Sequence, residues 1–141
     1  MSRIASGLII IFATLSSVGY FIQFTVVPFN LKTNNLAGLE QFIQLNEHSF
    51  AASLCVLGWG FYFGLACFFM APIFNGSRLK KWIRVLFIIT GILCNISLLS
   101  YISNLRELAL IASGLFNLTL MATCILLTLF FNKQIKNSFT Y

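Results

Sequence analysis

"FAASLCVLGWGFYFGLACFFMAPIF", Phe50 to Phe74, runs directly into "NGSRLKKWIR", Asn75 to Arg84. The first stretch holds no charged residue. The second holds Arg78, Lys80, Lys81 and Arg84, four of the nine basic residues in a chain of 141. An uncharged run of about 18–25 residues is what a helix needs to cross a hydrocarbon layer about 30 Å thick. Backbone groups in lipid must be bonded internally, so such a run takes helical form. The charges that follow it then act as a boundary marker. Short basic loops stay on the cytoplasmic side of a membrane.

Three further uncharged runs flank this pair: "IASGLIIIFATLSSVGYFIQFTVV" (Ile4 to Val27, closed by Pro28), "VLFIITGILCNISLLSYI" (Val85 to Ile102) and "LALIASGLFNLTLMATCILLTLFF" (Leu108 to Phe131). The expected fold is all-α, an integral membrane four-helix up-down bundle. It forms one domain over residues 1–141, with helices at about 4–27, 50–74, 85–102 and 108–131. Composition agrees. Hydrophobic residues make up 59% and charged residues 9%, with mean hydropathy +0.92. A soluble domain is about 25% charged, and one this apolar would expose large aggregating patches. The first run is longer than a signal-peptide core and ends in no A-x-A site, so it reads as a retained helix.

Four helices put the N-terminus, the 75–84 stretch and the tail on one face. That face carries Arg3, Arg78, Lys80, Lys81, Arg84, Lys133 and Lys136; the other carries Lys32, Arg106 and all three acids, Glu40, Glu47 and Glu107. Both termini are therefore expected in the cytoplasm. Trp82 and Tyr101 bracket the third helix as interfacial aromatics do. The net charge of +6 follows from this topology, and no nucleic-acid partner is expected. The expected partners of Arg78, Lys80, Lys81, Trp82 and Arg84 are membrane lipids with anionic headgroups. On that side, Asn75-Gly76-Ser77 reads as a turn and not as a glycosylation acceptor.

The first loop is the only long one. In "LAGLEQFIQLNEHSF", Leu36, Leu39, Phe42, Ile43 and Leu45 recur at helical spacing. This predicts a short amphipathic helix over about 36–47 on the outer surface, capped by Asn34 or Asn35.

Within the second run, Gly60 and Gly64 form a G-x-x-x-G motif, extended by Gly58, Cys67 and Ala71. Small residues let helix backbones approach closely, so this surface is a helix-packing face, within the chain or between copies. Asn95 and Asn117 lie equidistant from a turn centred near Arg106. They should share a depth near mid-membrane, face the bundle interior and bond to each other directly or through a water, since an unpaired amide in lipid is costly. Their structural role is interhelical attachment; their functional role would be a polar spot for a substrate.

Catalytic chemistry lacks its usual residues. His48 beside Glu47 could sense pH or help hold a metal, but reads more simply as a solvated helix end. Haem ligation wants two buried histidines and thiol redox chemistry a CxxC. Ion-coupled transport wants an intramembrane charge. Cys55, Cys67, Cys94 and Cys124 all sit in apolar runs, as small packing residues do. No catalytic residue, cofactor or metal is expected.

The stretch Leu57 to Leu93, "LGWGFYFGLACFFMAPIFNGSRLKKWIRVLFIITGIL", resembles a segment of small bacterial multi-pass integral membrane proteins of unknown function. In those a Gly-rich helix ends in Ala-Pro, here Ala71-Pro72. A loop with Gly and Arg follows, here Gly76-Ser77-Arg78. The next helix starts with Trp-Ile-Arg, here Trp82-Ile83-Arg84. Such proteins often have more than four helices. The resemblance implies a bacterial inner membrane and brings no activity.

The leading expectation is a non-enzymatic membrane protein acting through helix–helix or lipid contacts, alone, as a homo-oligomer or with a membrane partner. The alternative is a small oligomeric transporter or channel for a neutral or lipophilic solute, its cavity lined by Asn95, Asn117, Gln23 and helix hydroxyls. A third reading is a membrane enzyme acting on lipid through Glu47 and His48.

Overall fold

The computed structural model describes residues 2–44, 46 and 48–138. Among them there is no strand. Four helices are long and apolar enough to cross a membrane: Ser2–Lys32, Phe50–Ile73, Arg78–Ile102 and Arg106–Ser138. Each is longer than its uncharged run or differently divided.

The first comprises α1 (Ser2–Phe24) and α2 (Val26–Lys32), with a break at Thr25. Pro28 does not end it. It lies in the first turn of α2, where a residue needs no intrahelical N–H partner. The stop comes at Asn34, which adopts the left-handed conformation at φ 54°. Asn35 N–H bonds Asn30 O at 3.0 Å and Asn34 N–H bonds Leu31 O at 3.4 Å. This is the Schellman arrangement, in which an asparagine can replace glycine. Asn34 therefore closes one helix and does not open another.

The amphipathic helix expected over 36–47 is not formed. Leu39–Gln41 makes a single 3₁₀ turn; Leu45 and Glu47 lie outside the described residues. Gly38, at φ 74°, interrupts the helical path, and side chains satisfy the loop backbone instead. Gln23 reaches out of α1 to donate to Phe42 O and accepts from Gln44 N–H at 3.3 Å. Asn46 Nδ2 donates to Glu40 O at 3.0 Å and Ser49 Oγ to Ile43 O at 2.8 Å. The expected spacing is present, but these bonds win because they tie the loop to the bundle. Leu39, buried at 5% exposure, is its apolar anchor.

The second helix begins at Ser49, whose Oγ accepts from Ala52 N–H at 3.0 Å, a standard N-cap. It runs as α3 (Phe50–Val56), a π-helical segment over Leu57–Phe63, α4 (Gly64–Met70) and a 3₁₀ turn over Ala71–Ile73. The turn to the next helix is confined to residues 74–77, and Gly76 takes φ 108°. There α5 (Arg78–Ile102) starts, seven residues before the expected Val85. Arg78, Lys80, Lys81, Trp82 and Arg84 thus stand on the first two helical turns and not in a loop. Arg, Leu and Lys are good helix formers, and a charged turn can be helical once it leaves the hydrocarbon. The same reason extends α6 (Arg106–Ser138) beyond Phe131. Between α5 and α6, Asn104 (φ 57°) repeats the Asn34 device, with Leu105 N–H bonded to Ser100 O at 2.8 Å.

Consecutive helices run antiparallel. Phe12 meets Phe63 while Ser16 meets Gly58; Gly60 meets Leu98 while Phe74 meets Phe87; Thr90 meets Thr119 while Ser97 meets Ser113. The closest backbone approaches join sequence neighbours: first helix to second, second to third, third to fourth. At the basic end, Cys67, Ala71, Phe74, Ile83 and Phe87 form a buried cluster closed by Phe63, Leu127 and Phe130. Phe74 stacks on Phe87 at 5.6 Å and meets Phe130 edge-on at 5.9 Å. Lys80 Nζ lies 5.5 Å over the Phe130 ring, a cation–π contact that joins α5 to α6.

Candidate functional site

The other end of the bundle is hollow, and close glycine contacts set its walls. A Cβ on Gly60 would fall 2.6 Å from Leu98 Cβ. On Gly64 it would meet Cys94 Cβ at 3.0 Å and Asn95 Nδ2 at 2.8 Å. Gly91 faces back across the same seam, 3.0 Å from Gly64 O by the same measure. The G-x-x-x-G motif therefore joins the second and third helices within one chain. Gly58 packs on α1 with ordinary spacing to the Phe12 ring, 3.6 Å. Ala71 lies in the basic-end cluster.

The two asparagines are not bonded to each other. Asn95 Nδ2 donates to Gly91 O and Asn117 Nδ2 to Ser113 O, both at 2.8 Å and both within their own helix. Asn117 is exposed. Equal distance from a turn sets height on antiparallel helices but not the rotation of each about its axis. Hydroxyls take the interhelical role: Thr90 Oγ1 donates to Thr119 Oγ1 at 2.9 Å, and Ser97 Oγ and Ser113 Oγ are 2.7 Å apart.

Above that last pair the helices part around a cavity of about 720 Å³, with Gln44, Ser53, Ser100, Tyr101 and Arg106 among its lining residues. Ser53 Oγ and Tyr101 OH, 3.1 Å apart, link the second and third helices there. His48 also lines this mouth and is exposed; its expected companion Glu47 lies outside the described residues. A second space of about 280 Å³ lies deeper, lined by Tyr20, Trp59, Gly60, Cys94, Phe116 and Asn117. Cys55, Val56, Ser97 and Ser113 line both spaces, which places the two side by side along one cleft. The outer space carries hydroxyls, the Gln44 amide and Arg106; the inner one adds the rings of Tyr20, Trp59 and Phe116 beside the Asn117 amide.

The π-helical segment supplies that floor. A π turn accommodates an extra residue per turn and is found preferentially at functional sites. Here it carries Trp59 into the centre of the bundle. The indole meets Phe12 edge-on at 4.6 Å, Phe63 at 5.2 Å and Phe116 at 5.9 Å. One residue thus contacts α1, its own helix and α6. Gly58 and Gly60, both buried, let the wider turn fit between its neighbours.

Of the residues expected to line a cavity, Asn117 and Ser97 do so. Asn95 is turned to the Gly64 seam, and Gln23 holds the first loop. Trp59, Phe116 and Tyr101 were not anticipated as lining residues. The only signal for them is an aromatic or hydroxyl at a given depth, which many outward-facing residues share. All four cysteines are free thiols; Cys55, on the cleft wall, accepts a bond from Gln44 Nε2 at 3.1 Å. Among the described residues no group of three metal-ligating side chains converges. No protein-family model, curated protein or solved structure matches the chain.

Proposed function

We propose that the chain is a multi-pass membrane protein, non-enzymatic, that binds a neutral or lipophilic solute in this cleft, as a transporter or channel subunit does. The observation that carries the reading is the pair of adjoining spaces, the outer furnished with hydroxyls and an amide and the inner walled largely by aromatic rings. Binding sites of this kind are concave, mostly apolar and furnished with a few placed polar groups, within a volume of about 300–1,000 Å³. The small-residue motif that favoured a contact protein is already engaged between the second and third helices. That removes its chief support as a docking face for another copy.

The charge distribution supports both termini in the cytoplasm and the cleft mouth facing outward. At the opposite end, Arg78, Lys80, Lys81 and Arg84 would attract anionic headgroups, at about 1 kcal/mol per residue near the surface. A reporter placed after Ser77 should read as cytoplasmic; an external readout would reverse the topology.

The binding reading is tested by native mass spectrometry of the full chain extracted in membrane discs. A bound small molecule should be retained, and Val56→Trp, which fills the neck of the cleft, should release it. Absence of any adduct in the wild-type protein would remove the reading.

A further inference from the structure

We infer that the cleft takes a single-chain amphiphile, its head at the hydroxyl-lined mouth and its tail on Trp59 and Phe116, admitted sideways between the first and fourth helices. This rests on the reading of the cleft as a binding site and goes further in naming the class of ligand and its route.

Three observations carry it. First, the difference in lining between the outer and inner spaces matches a molecule with one polar and one apolar end. The mouth carries the hydroxyls of Ser53, Ser100 and Tyr101; Ser53 and Tyr101 bond each other and Ser53 donates to Ser49 O, and each hydroxyl oxygen has two lone pairs with which to accept. The floor offers the faces of Trp59 and Phe116, with the thiol of Cys94 beside them. A uniformly polar solute would find few partners on that floor beyond Asn117 and Tyr20. Second, the deep space is about 280 Å³, at the low end for small-ligand sites. It has room for one acyl chain and not for two side by side.

Third, the deep space is bounded at one side by residues that are themselves exposed. Tyr20 on α1 is 45% exposed, and Asn117 on α6 is exposed. Close backbone packing joins each helix to its sequence neighbour, and the first and fourth share none comparable among the described residues. Side chains alone, Phe12, Trp59 and Phe116, bridge this side. A tail can therefore reach the floor from the apolar layer without its head crossing that layer.

The test uses the full chain in phosphatidylcholine discs with palmitic acid carrying a diazirine near the end of its chain. After irradiation, adducts should map to Trp59 and Phe116. Excess unlabelled palmitic acid should reduce them at least tenfold, and Val56→Trp should do the same. Asn117→Trp narrows the side opening and the space behind it, and should slow labelling several-fold. It also keeps the test decisive if Val56→Trp does not fold. A phosphatidylcholine bearing the same diazirine should label outward residues such as Ile10 and Leu118 and spare Trp59.

Uncompeted palmitate adducts confined to Ile10 and Leu118 would overturn the inference, as would equal labelling of Trp59 by the diacyl probe. Protection of Cys55 from a methanethiosulfonate reagent separates the two levels. If glycerol protects it and palmitic acid neither protects nor labels, the cleft binds a solute and the amphiphile inference falls. If neither protects, both fall.

Discussion

Gly60 sits where a β-carbon would lie 2.6 Å from Leu98 Cβ, so the approach of two helices depends on one absent methyl group. Gly60→Val should lower stability by about 2 kcal/mol through forced separation of the seam. Gly114 meets nothing within 4 Å in the same sense, and Gly114→Ala should raise stability by about 0.5–1 kcal/mol by improving helix propensity. Thermal unfolding in one detergent measures both, and the opposite signs are the informative outcome. Asn104 is a second residue on which local geometry depends. Its positive φ, 57°, resists a β-branched side chain, so Asn104→Val should cost about 1–2 kcal/mol. Asn104→Gly should be neutral or slightly stabilising by the same melt, because glycine is the usual occupant of that position.

The third and fourth helices are held by hydroxyl pairs and not by the expected amides. A double-mutant cycle with Thr90→Val and Thr119→Val should give a coupling of about 0.6–1 kcal/mol in unfolding experiments. The same cycle on Asn95→Leu and Asn117→Leu should give none, since each amide bonds within its own helix. A coupling between the asparagines would contradict the helix rotation described above. Element ends follow similar logic. Apolar runs located the four helices, but helices do not stop where hydrocarbon stops. Arg78–Arg84 and the residues after Phe131 remain helical because their side chains favour it. Pro28 is tolerated because it falls in a first turn. The amphipathic spacing of 36–47 was legible and misleading, since Gln23 and Ser49 offer that backbone closer partners.

At the scale of the molecule, one end is filled and the other hollow. Phe74 touches Phe87 and Phe130 within a buried cluster. Phe74→Ala should therefore cost about 3 kcal/mol in lost contacts. Val56 already borders empty space, and Val56→Ala should cost less than about 1 kcal/mol. Denaturant unfolding of the two variants side by side checks the contrast. Comparable losses would mean that the cleft is filled by side chains in the membrane. The difference between the ends has a chemical origin. Phenylalanines from three segments converge at the basic end, whereas at the other the short side chains of Ser97, Ser100 and Ser113 leave the space between the helices unfilled.

By itself the sequence determined that the chain is all-helical, how many helices are long and apolar enough for a membrane, and which end carries the charge. These follow from length, hydropathy and charge, each a property summed along a single segment. It also marked Gly60 and Gly64 as a close-approach surface, because the lack of a side chain is legible wherever it occurs. Only the tertiary structure decided that this surface faces the third helix of the same chain, that the asparagines turn apart, and that Trp59, Ser97, Ser113 and Phe116 enclose a cleft. Those outcomes depend on how far each helix is rotated about its own axis. In helices apolar on every side, hydrophobicity scarcely distinguishes one rotation from another, so side-chain fit sets it.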